Sequence, residues 1–75
     1  MIQITLALPD GRNTYMTASS TTIKDFLDEN HVNYARATVM VDGMAMTPEN
    51  MRKSFADHGI NDECTIAICA KLQNA

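Results

Sequence analysis

The opening residues Ile2-Gln3-Ile4-Thr5-Leu6-Ala7-Leu8 alternate strictly, which sets Ile2, Ile4, Leu6 and Leu8 on one face. A period of two predicts a strand buried on one side. Pro9-Asp10-Gly11-Arg12 follows, with a proline of fixed φ, a turn-forming carboxylate and a permissive glycine. The chain is therefore expected to reverse into an antiparallel strand around residues 14–18, so that residues 1–18 form a hairpin.

The period then changes. Ser19-Ser20-Thr21-Thr22 is a run of capping residues, after which Ile23, Phe26, Leu27 and Asn30 recur at helical spacing, with Lys24, Asp25, Asp28 and Glu29 outward. This predicts a helix of about two to three turns that fades in the polar stretch Asn30-His31-Val32-Asn33. Thr38-Val39-Met40-Val41 is short and β-branched, the signature of a buried strand. Asp42-Gly43 is a tight-turn dipeptide, and it predicts that Met44-Ala45-Met46 folds back as a short fourth strand. Thr47-Pro48-Glu49-Asn50 joins a capping hydroxyl to a proline at the first helical position and an acidic first turn. With Met51 and Phe55 four apart on one side, a second short helix is expected, closed by Gly59. Asn61-Asp62-Glu63 then turns into a last strand at Thr65-Ile66-Ala67-Ile68-Cys69.

Strand, tight turn, strand, helix, strand, short strand, short helix, strand is the order of the β-grasp fold, and over residues 1–72 the chain resembles the ubiquitin-like proteins. Val39-Met40-Val41-Asp42-Gly43-Met44-Ala45-Met46 is similar to ubiquitin's hydrophobic strand, glycine-containing turn and following leucine. The stretch from His58-Gly59-Ile60 to Ile66-Ala67-Ile68 is similar to the segment leading into ubiquitin's last strand. The resemblance implies one α+β domain with 73–75 as a short tail. Its mixed sheet of four to five strands would have the first and last strands parallel at the centre and a helix packed on one face. Two further branches of the fold invite comparison. The opening Leu8-Pro9-Asp10-Gly11 is similar to the start of TGS domains, which are regulatory or RNA-associated modules. The ThiS and MoaD sulfur carriers share the length, but their chemistry forms on a C-terminal Gly-Gly, where this chain has Gln73-Asn74-Ala75. The resemblance thus leads to the expectation that carrier chemistry is absent.

Composition narrows the functions further. Seventy-five residues hold one modest core, and 45% hydrophobic with 20% charged residues is ordinary for a folded domain. No apolar run approaches the ~20 residues that cross a bilayer, and the first residues alternate instead of forming an export signal. A bacterial-type cytoplasm is the expected location and a membrane is not an expected partner. The net charge is -3, with Arg12, Lys24, Arg36, Arg52, Lys53 and Lys71 scattered along the chain, so no nucleic-acid partner is expected.

No enzyme chemistry is expected either. Cys64 and Cys69 lie five apart in one strand and point to opposite faces, so they cannot pair. Cys64 shares parity with Ile66 and Ile68 and should be inert packing, while Cys69 faces outward, where neighbouring Lys71 would favour its thiolate. His31 and His58 fall near predicted helix C-termini and lack the paired spacing of a zinc site. Two cysteines are too few for an iron–sulfur cluster. No catalytic residue, metal or cofactor is assigned.

The six methionines are the compositional oddity, and methionine makes adaptable binding surfaces as well as filling cores. If Val39 and Val41 are inward, Met40 is outward, beside Ala67 and Cys69 on the last strand and Thr5 on the first. In ubiquitin-like proteins this sheet face carries the main recognition patch, so the resemblance implies that Met40, Ala67 and Cys69 contact a partner. Thr5 adjoins them, with Tyr15 at the edge. The leading expectation is a non-enzymatic interaction module that binds a partner protein, or a second copy of itself, through that face. A degenerate sulfur or protein carrier and a TGS-like module near RNA are the alternatives.

Overall fold

The structure is a computed structural model and describes residues 1–70. Lys71 as a neighbour of Cys69, the expected domain end at residue 72 and the 73–75 tail lie outside the described residues. The elements are β1 (Ile2–Leu8), β2 (Gly11–Thr17), α1 (Ile23–Glu29), β3 (Ala37–Val41), β4 (Met44–Ala45), α2 (Pro48–Met51), one 3-10 turn at Ala56–His58, and β5 (Glu63–Ala70). The strands form one sheet in the order β2-β1-β5-β3-β4. β1 and β5 run parallel at its centre and the other pairs are antiparallel. This is the α+β β-grasp arrangement expected from the sequence.

The first hairpin is tighter than expected. Its register runs without a break from Ile2 opposite Thr17 to Leu8 opposite Gly11, so Pro9 and Asp10 alone make the turn. β2 consequently begins at Gly11 instead of near residue 14. The Thr22 hydroxyl starts α1 by accepting the Asp25 N–H at 3.1 Å, which satisfies one of the free donors of the first turn. Ile23, Phe26 and Leu27 then fall on one side of the helix and are fully buried.

The second short helix is present, with the expected Thr47 cap and Pro48 start, but it is shorter than the spacing of Met51 and Phe55 suggested. α2 is a single turn, capped by the Thr47 hydroxyl, and the 3-10 turn that follows ends at Gly59 with φ 77. The helix breaks because the backbone beyond Met51 pairs with the segment ahead of α1. Ile23 N–H donates to Lys53 C=O at 3.3 Å and Phe55 N–H to Thr21 C=O at 3.1 Å. Met51 and Phe55 are both buried, as their spacing suggested, but from two different elements.

The core lies between the sheet and α1. Ile2, Ile4 and Leu6 of β1, Val39 and Val41 of β3, and Cys64, Ile66 and Ile68 of β5 all point into it, as their period of two requires. Phe26 holds the middle. Its ring meets Phe55 at 5.8 Å and 84°, and Tyr15 at 5.8 Å and 77°, both edge-to-face. Such pairs contribute about 0.5–1.5 kcal/mol each beyond the area they bury. The sheet is thereby covered on one side, and among the described residues nothing packs on its other side.

Candidate functional site on the open sheet face

The strand registers determine which side chains share the uncovered face. Residues directly opposite one another on neighbouring strands project to the same side. Arg12 of β2 is opposite Ala7 of β1, Ala7 opposite Ala67 of β5, Ala67 opposite Met40 of β3, and Met40 opposite Ala45 of β4. One row of side chains thus crosses all five strands, and between its ends it contains only alanine and methionine. Ala7, Ala67 and Met40 are half-buried by their neighbours, while Arg12 and Ala45 at the margins are exposed.

The adjoining rows are more polar. On one side Cys69 stands opposite Thr38, with Cys69 exposed. On the other, Thr5 lies between Thr14 and Thr65. Asp42 closes that threonine row, since its carboxylate accepts the Thr65 N–H at 2.9 Å and its own N–H donates to the Thr65 C=O at 2.9 Å. Beyond it come Met16, Gln3 and Glu63. Met40, Ala67, Cys69 and Thr5 are therefore grouped on one face, at the positions that parity in the sequence indicated.

Tyr15 is placed otherwise. It is opposite Ile4 and shares that residue's inward direction, so its ring packs on Phe26 instead of bordering the open face. The odd-numbered residues of β2 face α1, and the even-numbered Arg12, Thr14 and Met16 face away. Tyr15 instead helps to line a cleft of about 430 Å³ near the end of α1, with Leu6, Leu8, Val32 and Ile68 as apolar neighbours.

Within the central row the one ionisable side chain is Arg12, at its margin. Cys64 faces the core, where burial first and the nearby Asp42 second push its thiol up to about 11, so it stays protonated at neutral pH. The His58 ring shares a hydrogen bond of 2.8 Å with the Asn50 C=O, which occupies it at the end of α2. Among the described residues no three His, Cys, Asp or Glu side chains gather closely enough to hold a metal ion, and no helix is long and apolar enough to cross a membrane.

Ala7, Ala45 and Arg12 were not recognised from the sequence as members of the row. Ala7 was within reach, since it shares parity with Thr5. Arg12 and Ala45 needed the register of the two hairpins.

No family model matches the chain and no curated protein matches it in sequence. Its fold is similar to solved structures. The ubiquitin-like domain of the Arabidopsis thaliana protein At2g32350 matches with a TM-score of 0.75 at 18% identity, covering 99% of this chain and 81% of that one. A second structure of the same protein matches with a TM-score of 0.73 at 18% identity, covering 97% and 89%. The N-terminal ubiquitin-like domain of the 4931431F19Rik protein matches with a TM-score of 0.64 at 15% identity, covering 99% and 78%. At such identities the likeness is one of backbone architecture, and a shared scaffold carries no function with it. By strand order, helix placement and these likenesses, the chain has the ubiquitin-like β-grasp fold.

Proposed function

We propose that this domain is a non-enzymatic interaction module that docks a partner protein on its open sheet face. Met40 and Ala67 form the centre of the contact, with Cys69 and Thr5 beside them. Tyr15, on the opposite side of the sheet, has no part in it. The observation that carries this reading is the row from Arg12 through Ala7, Ala67 and Met40 to Ala45. Strands about 4.8 Å apart make such a row roughly 20 Å wide, a span suited to a small protein interface. Alanine lets a partner's backbone approach closely, and methionine adjusts its shape to what it meets. A second copy of the chain meeting the same face is a variant of this reading.

The test compares the wild type with Met40→Glu and Ala67→Glu as baits in extracts of the source cells. Circular dichroism first confirms that each variant is folded. The expected result is that a protein captured by the wild type is lost from both variants. A folded Met40→Glu domain that retains every partner of the wild type rules this surface out.

A further inference from the structure

The two margins of the sheet are unequal. β4 is two residues long and offers little backbone for pairing, whereas β2 runs for seven residues and, among the described residues, has no partner on its outer side. Proteins usually protect such an edge with proline, a bulge, lysines or a short strand. β2 contains no proline or lysine, its register with β1 is unbroken, and Arg12 is its one charge.

The turn determines which backbone groups are free. With only Pro9 and Asp10 between them, Leu8 and Gly11 must exchange hydrogen bonds directly, because the alternate pattern would require bonding between the two turn residues. Counting by twos, Gly11, Asn13, Tyr15 and Thr17 direct their N–H and C=O groups to β1. Arg12, Thr14 and Met16 direct theirs away from the sheet. The same count makes odd-numbered residues of β1 bond to β5, in accord with Gln3 N–H donating to Asp62 C=O at 2.9 Å.

We propose that this margin pairs antiparallel with the same margin of a second copy, about a two-fold axis at Thr14. In that register Thr14 meets Thr14 of the second copy, and Arg12 meets Met16. Every outward N–H and C=O of Arg12, Thr14 and Met16 then has a partner. Moving the axis toward Arg12 leaves Met16 unpaired and brings the two arginines together, and moving it toward Met16 leaves Arg12 without an outward-facing partner. The central register also covers Met16, whose side chain is 57% exposed, with the aliphatic stem of an arginine. The joined sheet presents both open faces on one side, so the pair would dock divalently on a partner with repeated sites. The pairing involves the sheet margin and does not depend on the open face being a docking site.

Sedimentation velocity over a range of concentrations, with amide exchange followed by NMR, tests the pairing. Wild type is expected to dimerise as concentration rises, and the amides of Arg12, Thr14 and Met16 should gain protection while Asn13 and Tyr15 are protected throughout. Thr14→Pro removes an outward N–H that the monomer does not use, a position at which an edge strand tolerates proline. Met16→Lys sets a cation opposite Arg12. Each should weaken dimerisation at least about tenfold, and Met40→Glu should leave it unchanged. A chain that stays monomeric, a dimer whose three outward amides stay unprotected, or a Met16→Lys variant that dimerises like wild type overturns the proposal. If Thr14→Pro fails to fold, Met16→Lys and the amide exchange decide.

Discussion

Met40 stands directly opposite Ala67 across the β3–β5 ladder, and both turn away from α1. One residue along on each strand, Val39 and Ile68 form the next pair and are buried beneath the helix. The open face and the core thereby take alternate positions of the same two strands.

The alternation predicts a separation in mutational cost. Ile66→Ala leaves a void in a fully buried site and should destabilise by about 2–5 kcal/mol. Met40→Ala, on the half-buried open face, should cost less than ~1 kcal/mol. Urea unfolding of the two variants measures both, and comparable losses would show that Met40 belongs to the core.

Asp42 is predicted to matter more than its exposure suggests. It holds φ 50, a conformation that Asp and Asn tolerate better than other side chains, and its carboxylate accepts the Thr65 N–H where β3 ends. Asp42→Ala should cost about 1–3 kcal/mol, from the lost hydrogen bond and the strained backbone together. Asp42→Asn keeps an acceptor and the tolerance of this φ, and should cost less than ~1 kcal/mol. Equal stability of the two variants in a urea titration would refute this account.

Much of this architecture was legible in the sequence because short-range signals agree with long-range placement. The alternation of Ile2, Ile4 and Leu6, the Thr22 and Thr47 caps, and Asp42-Gly43 each specify local geometry that the sheet uses directly. Parity turned Met40, Ala67 and Cys69 outward, and the resemblance to the ubiquitin-like fold set their strands side by side. What stayed hidden depended on pairing between segments distant in the chain. The break after Met51 arises from the backbone of Thr21 and Ile23, and no periodicity around residue 51 reports it. Tyr15 was misplaced for a related reason, since its face follows from the two-residue turn and the register with Ile4.

The two cysteines should differ sharply in reactivity. Cys69 is exposed, whereas Cys64 is 5% exposed with its thiol raised to about 11. A thiol reagent at neutral pH is expected to label Cys69 promptly and Cys64 only on unfolding. Asp42→Asn should bring the Cys64 thiol somewhat lower, since the carboxylate charge is the second cause of its shift. Prompt labelling at both positions of the native chain, located by peptide mass spectrometry, would contradict the inward placement of Cys64.

A pH effect is expected where α1 meets the segment before β3. Lys24 Nζ donates to the Asp28 carboxylate at 2.8 Å, and the Tyr34 hydroxyl donates to its other oxygen at 3.0 Å. The hydrogen bond from Lys24 and then that from Tyr34 hold Asp28 below its ordinary value. Its contribution to stability is therefore present above the pKa of the unfolded carboxyl and is lost as pH falls through the lower folded value. Lys24 is raised by its hydrogen bond to Asp28, and Tyr34 by burial and then by Asp28. Their contributions are present below their unfolded pKa values and disappear as pH rises through the folded ones. The stability difference between wild type and Asp28→Asn should be greatest near neutrality and shrink toward both extremes. A difference that is flat across the titration would show that the three groups act independently of charge.

The parallel pairing of β1 with β5 unites the two ends of the described chain, with Ile4 beside Cys64 and Leu6 beside Ile66. During synthesis the first hairpin and α1 emerge with no neighbour to complete the middle of the sheet. A nascent polypeptide halted before residue 63 would thus remain unfolded, because β1 at the middle of the sheet has to wait for β5. A chain cut in a loop should accordingly yield no half that is stable by itself.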